Sequence, residues 1–291
     1  MEEFIQQLFN GLHVGSIYAL IALGYTMVYG IVKLINFAHG EILMIGAYSA
    51  YFLINSGMPI WLTILLSMLI CAIIGVIIEK LAYKPLRNAP RISALITAIA
   101  VSILLQNLFM ILFKPDGRPF PEIIKLSPIH IGSVKIEGLT ILSIVVSFIL
   151  MVGLHFFIKN TKTGKAMRAV SQDQNAAMLM GIDINKTISA TFAIGSALAA
   201  VGGILFSIAY PLIEPYMGMM PGLKAFIAAV LGGIGIIPGA MVGGVIMGVA
   251  ESFTRAYISS QLSDAVVFGI LIVVLIVKPT GLFGKNTREK V

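Results

Sequence analysis

Asn36, His39 and Glu41 fall within six positions of one another in the stretch INFAHGEILMIGAY, Ile35 to Tyr48. An amide, an imidazole and a carboxylate are groups that donate, accept and titrate. Apolar runs flank them on both sides. In water they would make an ordinary turn, but in lipid each is costly and asks for a reason. Two readings follow. Either the three form a solvated cytoplasmic turn in which Glu41 opens the next helix, where an acidic residue suits the positive dipole end, or they line or gate a cavity inside a helix bundle. Lys224, Glu251, Arg255, Gln106 and Asn107 pose the same choice, between anchoring at a membrane interface and pairing across helices.

Patterns for catalysis are missing. His13, His39, His130 and His155 never stand at HExxH spacing, and no GxSxG elbow occurs. The tail PTGLFGKNT lacks the phosphate-loop pattern, because Pro279 stands where its first glycine belongs and Asn286 replaces the required Ser or Thr. No cofactor or metal site is therefore expected in this chain. The one cysteine, Cys71, excludes an intrachain disulfide and a cysteine cluster and reads as a small core residue.

The elements that must position these residues are membrane helices. Of 291 residues 58% are hydrophobic and 11% charged, with a mean hydropathy of +0.98, far from the composition of soluble domains. Apolar segments run from Leu12 to Ile35, Ile42 to Ile54, Ile60 to Ile78, Ile92 to Phe113, Leu139 to Ile158, Ile188 to Ala209, Leu223 to Ile237, Ala240 to Ile258 and Leu262 to Val277. The expectation is one all-α, polytopic transmembrane bundle of about eight or nine spans over residues 1–291, with short or broken helices. As a helix, Ile42 to Ile54 covers only about 20 Å of a ~30 Å hydrocarbon core, so it either spans with help from its flanks or is re-entrant.

Charge sets the orientation. Lys80 to Arg91 carries four positive residues and no negative one, Lys159 to Lys186 five against two, and Lys278 to Val291 four against one. All three are expected on the cytoplasmic side. The formal charge of +7 is thus a positive-inside signature rather than a nucleic-acid footprint. Three segments precede Lys80, which places the N-terminus outside and the C-terminus in the cytoplasm. MEEFIQQ lacks the cationic start of a secretory signal, so the first helix is expected to stay. The Pro/Gly-rich connection Lys114 to Gly138 becomes external, as a small hairpin or cap.

Small residues mark where backbones meet. Thr191, Gly195, Ala199, Gly203 and Ser207 recur every fourth position and give one helix a close-packed face. The run VLGGIGIIPGAMVGGVIMGV, with Gly232, Gly233, Gly235 and Pro238, breaks a helix, which is tolerated at membrane depth only inside protein or beside a watery cavity. It serves tight packing, a pathway or hinge, or both. Glu41, Pro59, Gly75 and Glu79 are echoed by Leu223, Pro238, Gly248 and Glu251 in segments of opposite direction, the pattern of an inverted repeat.

One stretch is too polar to span. In NTKTGKAMRAVSQDQNAAMLMGIDINK, residues 160–186, a short helix is expected from Lys165 to Met180, with Met167, Val170, Ala177 and Met180 towards one side and Gly181 as its stop. Such a helix either docks into a groove on another protein or rests on lipid headgroups.

GSIYALIALGYTMVYGIVKLINFAHGEILMIGAY, GKAMRAVSQDQNAAMLMGID and KAFIAAVLGGIGIIPGAMVGG, in this order, resemble the permease family of bacterial ABC importers for branched-chain amino acids, of the LivH type, from about residue 10 to 283. One departure is Ile236, where the resemblance leads us to expect a small polar residue. The resemblance implies that Gly164, Lys165, Arg168, Ala169, Asp173, Ala176 and Gly181 couple to an ATPase. It also implies a second similar permease, two cytoplasmic ATPases that use ATP and Mg, an extracytoplasmic solute-binding protein, and leucine, isoleucine and valine as substrates in the inner membrane. Relatives in the wider group carry urea, short amides or sugars. A self-sufficient secondary transporter or channel is the rival reading, and an intramembrane enzyme is disfavoured by the missing catalytic patterns.

Overall fold

The computed structural model describes residues 2–87, 89–122, 126–131 and 134–284. Helix α1 (Glu2–Val32) starts well before the apolar run at Leu12, with Glu2 and Glu3 in its first turn where the helix dipole favours them. It ends at Lys33, whose φ of 58° is a left-handed conformation that costs a non-glycine residue about 1–2 kcal/mol. The chain then runs without helix to Ala38 before α2 (His39–Asn55) begins.

Next, α3 (Ile60–Ile78) continues through a wide turn, Glu79–Tyr83, and a tight one, Lys84–Leu86. Helices α4 (Arg91–Phe113) and α5 (Gly138–Asn160) bracket the connection read as a cap. There β1 (Arg118–Pro119) pairs antiparallel with β4 (Leu212–Ile213), and β2 (Ile129–Ile131) pairs antiparallel with β3 (Val134–Ile136). Two short helices, α6 (Lys162–Gln172) and α7 (Gln174–Leu179), precede α8 (Ile184–Ala209). Last come α9 (Met219–Gly232), α10 (Ile237–Tyr257) and α11 (Ser263–Val277). The cationic tail beyond residue 284 lies outside the described residues.

Among the described residues seven helical segments are long and apolar enough to cross a membrane. The two apolar segments that fall short are α2, with 17 residues, and α9, with 14. Each is short because non-helical chain precedes it, residues 33–38 before α2 and the stretch from β4 to Gly218 before α9. Non-helical backbone at membrane depth is admissible only when enclosed by protein or beside a watery cavity.

Helix α1 forms the centre. It packs along α10 through backbone-to-backbone contact: a Cβ added to Gly11 would lie 2.7 Å from Val249 Cα, and one added to Gly15 2.9 Å from Val245 Cα. It crosses α8 where Gly24 faces Gly195. The sequence stripe lies buried on α8, with Ala199 fully enclosed and a Gly203 side chain excluded by the Leu43 carbonyl oxygen of α2. By contrast α4 and α11 present apolar residues outward, among them Ile92, Leu104, Ile111, Ile276 and Val277. An inside-out distribution of this sort is that of a body solvated by hydrocarbon.

Candidate functional site

The polar cluster that opens the sequence lies deep in the bundle. His39, the first residue of α2, stands beside Gly24, about two turns before the end of α1, and its ring meets the Tyr25 ring edge to face at 4.8 Å. Asn36 Oδ1 accepts from the Tyr83 hydroxyl at 2.9 Å. Glu41 Oε1 accepts from Gln106 Nε2 at 2.7 Å and Ser102 Oγ at 3.0 Å, both on α4. All three residues are at most 2% exposed, which excludes the solvated turn. Asn36 Nδ2, His39 Nε2 and Glu41 Oε2 are buried without a hydrogen-bond partner.

The amino end of α9 meets this cluster. Gly218 and Gly222 press on Gly40, so that a Cβ on Gly222 would lie 2.7 Å from Gly40 Cα. Two helix starts therefore touch inside the bundle, next to the Tyr25 hydroxyl.

The glycine-rich break sits at the other end of α9. Gly232 ends the helix against the Gly239 backbone, and Gly233 and Gly235 adopt φ of 104° and 92°, open to glycine without strain. Pro238 is not at the break itself but in the first turn of α10, where a proline lacks nothing the helix needs. The Leu282 and Phe283 amides donate to the Leu231 and Gly232 carbonyls at 2.8 and 3.1 Å, so the C-terminal segment caps α9.

Residues 160–186 hold two short helices ahead of α8, not the single one expected from Lys165 to Met180. Asp173 divides them: its extended backbone closes α6, and its carboxylate accepts from the Ala176 amide at 3.0 Å to cap α7. Thr161 Oγ1 caps α6 through the Gly164 amide at 3.0 Å. Gly164 also lies against the Ile158 backbone with no room for a side chain. Gly181, at φ 80°, ends α7, with Ile182 and Gly181 amides donating to Ala177 and Met178 carbonyls. Asp183 caps α8 by accepting from the Lys186 amide at 3.0 Å, and that bond holds its carboxyl below the usual carboxylate range.

Met167, Val170 and Ala177 turn inward, but Met180 does not: Met178, Leu179 and Met180 are 58%, 85% and 83% exposed. Lys165, Asp173 and Ala176 are exposed as well, and Ala169 is half-buried. The Arg168 guanidinium donates to the Lys159 carbonyl at 3.1 Å. It also lines a cavity of about 280 Å³ shared by the end of α1 and the Ile234–Ile237 turn. Helix α6 and the glycine-rich break are thus neighbours, which the sequence did not reveal.

The model of the family described as "Branched-chain amino acid transport system / permease component" matches residues 7–275. The chain belongs to this family. The high-affinity branched-chain amino acid permease LivH of Salmonella typhimurium is 45% identical over 302 aligned positions, 99% of this chain and 98% of its own length. BraD of Pseudomonas aeruginosa is 44% identical with the same coverage. The probable branched-chain amino acid permease LivH of Methanocaldococcus jannaschii is 30% identical over 94% of this chain and 90% of its own. No solved structure matches. The chain is accordingly the permease component of a branched-chain amino acid transport system.

In this permease two largely buried charge clusters remain, and the first decides between anchoring and pairing. Lys224 and Glu251 do not snorkel to an interface. Lys224 Nζ stands 2.7 Å from both Glu251 Oε1 and Asp264 Oδ1, Arg255 also pairs with Glu251, and the Tyr18 hydroxyl donates to Glu251 Oε2 at 2.9 Å. At the opposite end of the bundle Glu79, fully enclosed, pairs with Arg87 and accepts from Ser189 Oγ at 2.7 Å, while Arg87 reaches Asn185 Oδ1 at 2.6 Å. For the Glu79 cluster the only prior sign was the place of Glu79 in the pattern it shares with Glu251.

Proposed function

We propose that this permease and a second one of the same family enclose the pathway of an ATP-driven importer. It takes leucine, isoleucine and valine from an extracytoplasmic solute-binding protein. Two cytoplasmic ATPases, using ATP and Mg, drive it, and this chain hydrolyses nothing. The observation that carries this reading is the handle, α6 and α7. Side-chain caps at Thr161, Asp173 and Asp183 set the starts of α6, α7 and α8, and the handle presents Met178, Leu179 and Met180 to its surroundings. An exposed apolar tip on a polar, non-spanning segment fits a groove in a partner protein.

The geometry supports a route for the motion. Arg168 and the Ile234–Ile237 turn border one cavity, and Gln174 Nε2 donates to the Ile31 carbonyl at the end of α1. A push on the handle would reach α1 and the hinge-like turn together, and from there α9 and the cluster at Asn36, His39 and Glu41. Gly164, Lys165, Arg168, Ala169, Asp173, Ala176 and Gly181 form the coupling segment, residues 160–186 of a single permease domain. Gly232, Gly233, Gly235 and Pro238 act as the gating turn.

In this reading α2 and α9 both cross the membrane, extended chain first and helix second, giving nine passes with the N-terminus outside and the C-terminus in the cytoplasm of an inner membrane. An inverted repeat of α2–α3 on α9–α10 is supported by matching contacts at their ends: Glu79 binds Ser189 of α8, and Glu251 binds Tyr18 of α1. Reconstitution tests the function. With binding protein and leucine outside and ATP inside, the four-subunit complex in liposomes accumulates leucine. Uptake by this chain alone on an ion gradient would sink the proposal.

A further inference from the structure

Glu41 is anomalous in its energetics. Its side chain is enclosed at 1% exposure, one oxygen is satisfied twice over by α4, and Oε2 has no partner. A buried polar atom left unpaired costs about 1–3 kcal/mol, and more when it is charged. Folded chains rarely tolerate one without a function for it. Glu41 lines a cavity of about 240 Å³ between α1, α2, α4 and α9, and no Lys or Arg lines it. The obvious candidate, Lys224, is held by Glu251 and Asp264.

Two further features of the same cavity complement the carboxylate. Gly40, Gly218 and Gly222 line it where the amino ends of α2 and α9 converge, and such ends carry positive potential that attracts anionic groups. The rest of the wall is apolar, with Phe37, Ile99, Ile103 and Leu223. The volume is below the roughly 300–1,000 Å³ of sites for drug-sized molecules, which restricts the occupant to a small one.

We propose that this cavity is an intramembrane binding site for a small aliphatic amino acid in its zwitterionic form. The ammonium group binds Glu41 Oε2, the carboxylate faces the amino ends of α2 and α9, and the side chain lies against Ile99, Ile103 and Leu223. A bare cation would have no use for the two helix ends, and a neutral amide would leave the carboxylate unpaired. The site rests on the transport reading above and adds to it the place where cargo pauses once it has left the binding protein.

The test is equilibrium binding of radiolabelled leucine to the complete permease–ATPase complex in nanodiscs, without binding protein. Competitors are isocaproate, which lacks the ammonium, and isopentylamine, which lacks the carboxylate. Saturable binding is expected, with leucine outcompeting either analogue by at least about tenfold, since an ion partner in a buried site is worth well over 1.4 kcal/mol. Glu41→Gln lowers leucine affinity by at least about tenfold and erases the preference over isocaproate. Should that variant not assemble, Ile103→Trp fills the cavity and is expected to weaken binding equally. Unchanged binding in an assembled variant, or isocaproate competing as well as leucine, overturns the site. So does a complex that imports leucine without saturable binding. An assembled complex that imports no leucine overturns the transport reading and the site with it.

Discussion

Two buried polar regions of this permease are built on opposite terms. Around Glu251 every charge has its answer: Lys224, Arg255, Asp264 and the Tyr18 hydroxyl close a network that ties α1, α9, α10 and α11 together. Around Glu41 the network is left open, with one atom of Asn36, of His39 and of Glu41 lacking a partner where α2 and α9 touch end to end. In a low-dielectric interior a satisfied network rigidifies and an unsatisfied one is a liability that persists only for a reason. The closed region holds helices in place, whereas the open one is ready to receive something.

The comparison predicts unequal responses to substitution. Lys224→Met removes the cation between two carboxylates and is expected to destabilise the fold by about 3–5 kcal/mol, read as a large drop in melting temperature in detergent. A small drop would mean that the network is not what fixes these helices. Gly203→Leu asks whether α2 is held instead by packing. With the Leu43 carbonyl in the way, overpacking of about 3 kcal/mol is expected, and unchanged melting would break that account.

Asp173→Ala removes the cap of α7, a loss of about 1 kcal/mol confined to the handle. The bundle should melt as before while the ATPases co-purify poorly, and normal co-purification with normal uptake would detach the handle from coupling. Glu41→Gln should change stability least, by less than about 0.5 kcal/mol, because the amide oxygen still accepts from α4 and the orphaned atom had no bond to lose. A large loss of stability there would show that Oε2 has a structural partner, and the contrast between the two regions would vanish.

Periodicity and composition made the helices legible, because long apolar runs in lipid have few alternatives to helix. Depth was less legible. Ile42 to Ile54 and Leu223 to Ile237 looked like short spans, and nothing in their residues said that both helices start inside the bundle against each other. That meeting depends on Gly40 and Gly222, whose spacing in sequence carries no sign of contact. The handle was visible as a polar interruption with a glycine stop, yet Asp173 was read as part of one helix. An Asp within a helical pattern competes for the backbone, and here it ended one helix and began another. For Lys224 and Glu251 the sequence left pairing and interfacial anchoring open, since each residue alone reads equally well as an anchor.

The central claim is that α6 and α7 face the cytoplasm and receive the thrust of an ATPase. Cys71, the only cysteine, is buried, so a cysteine introduced by Leu179→Cys at the 85%-exposed tip of α7 reports alone. A membrane-impermeant maleimide should label it in inside-out vesicles and not in right-side-out ones, with labelling suppressed when the ATPases are bound. Labelling in right-side-out vesicles would place the handle on the wrong side of the membrane and contradict the account.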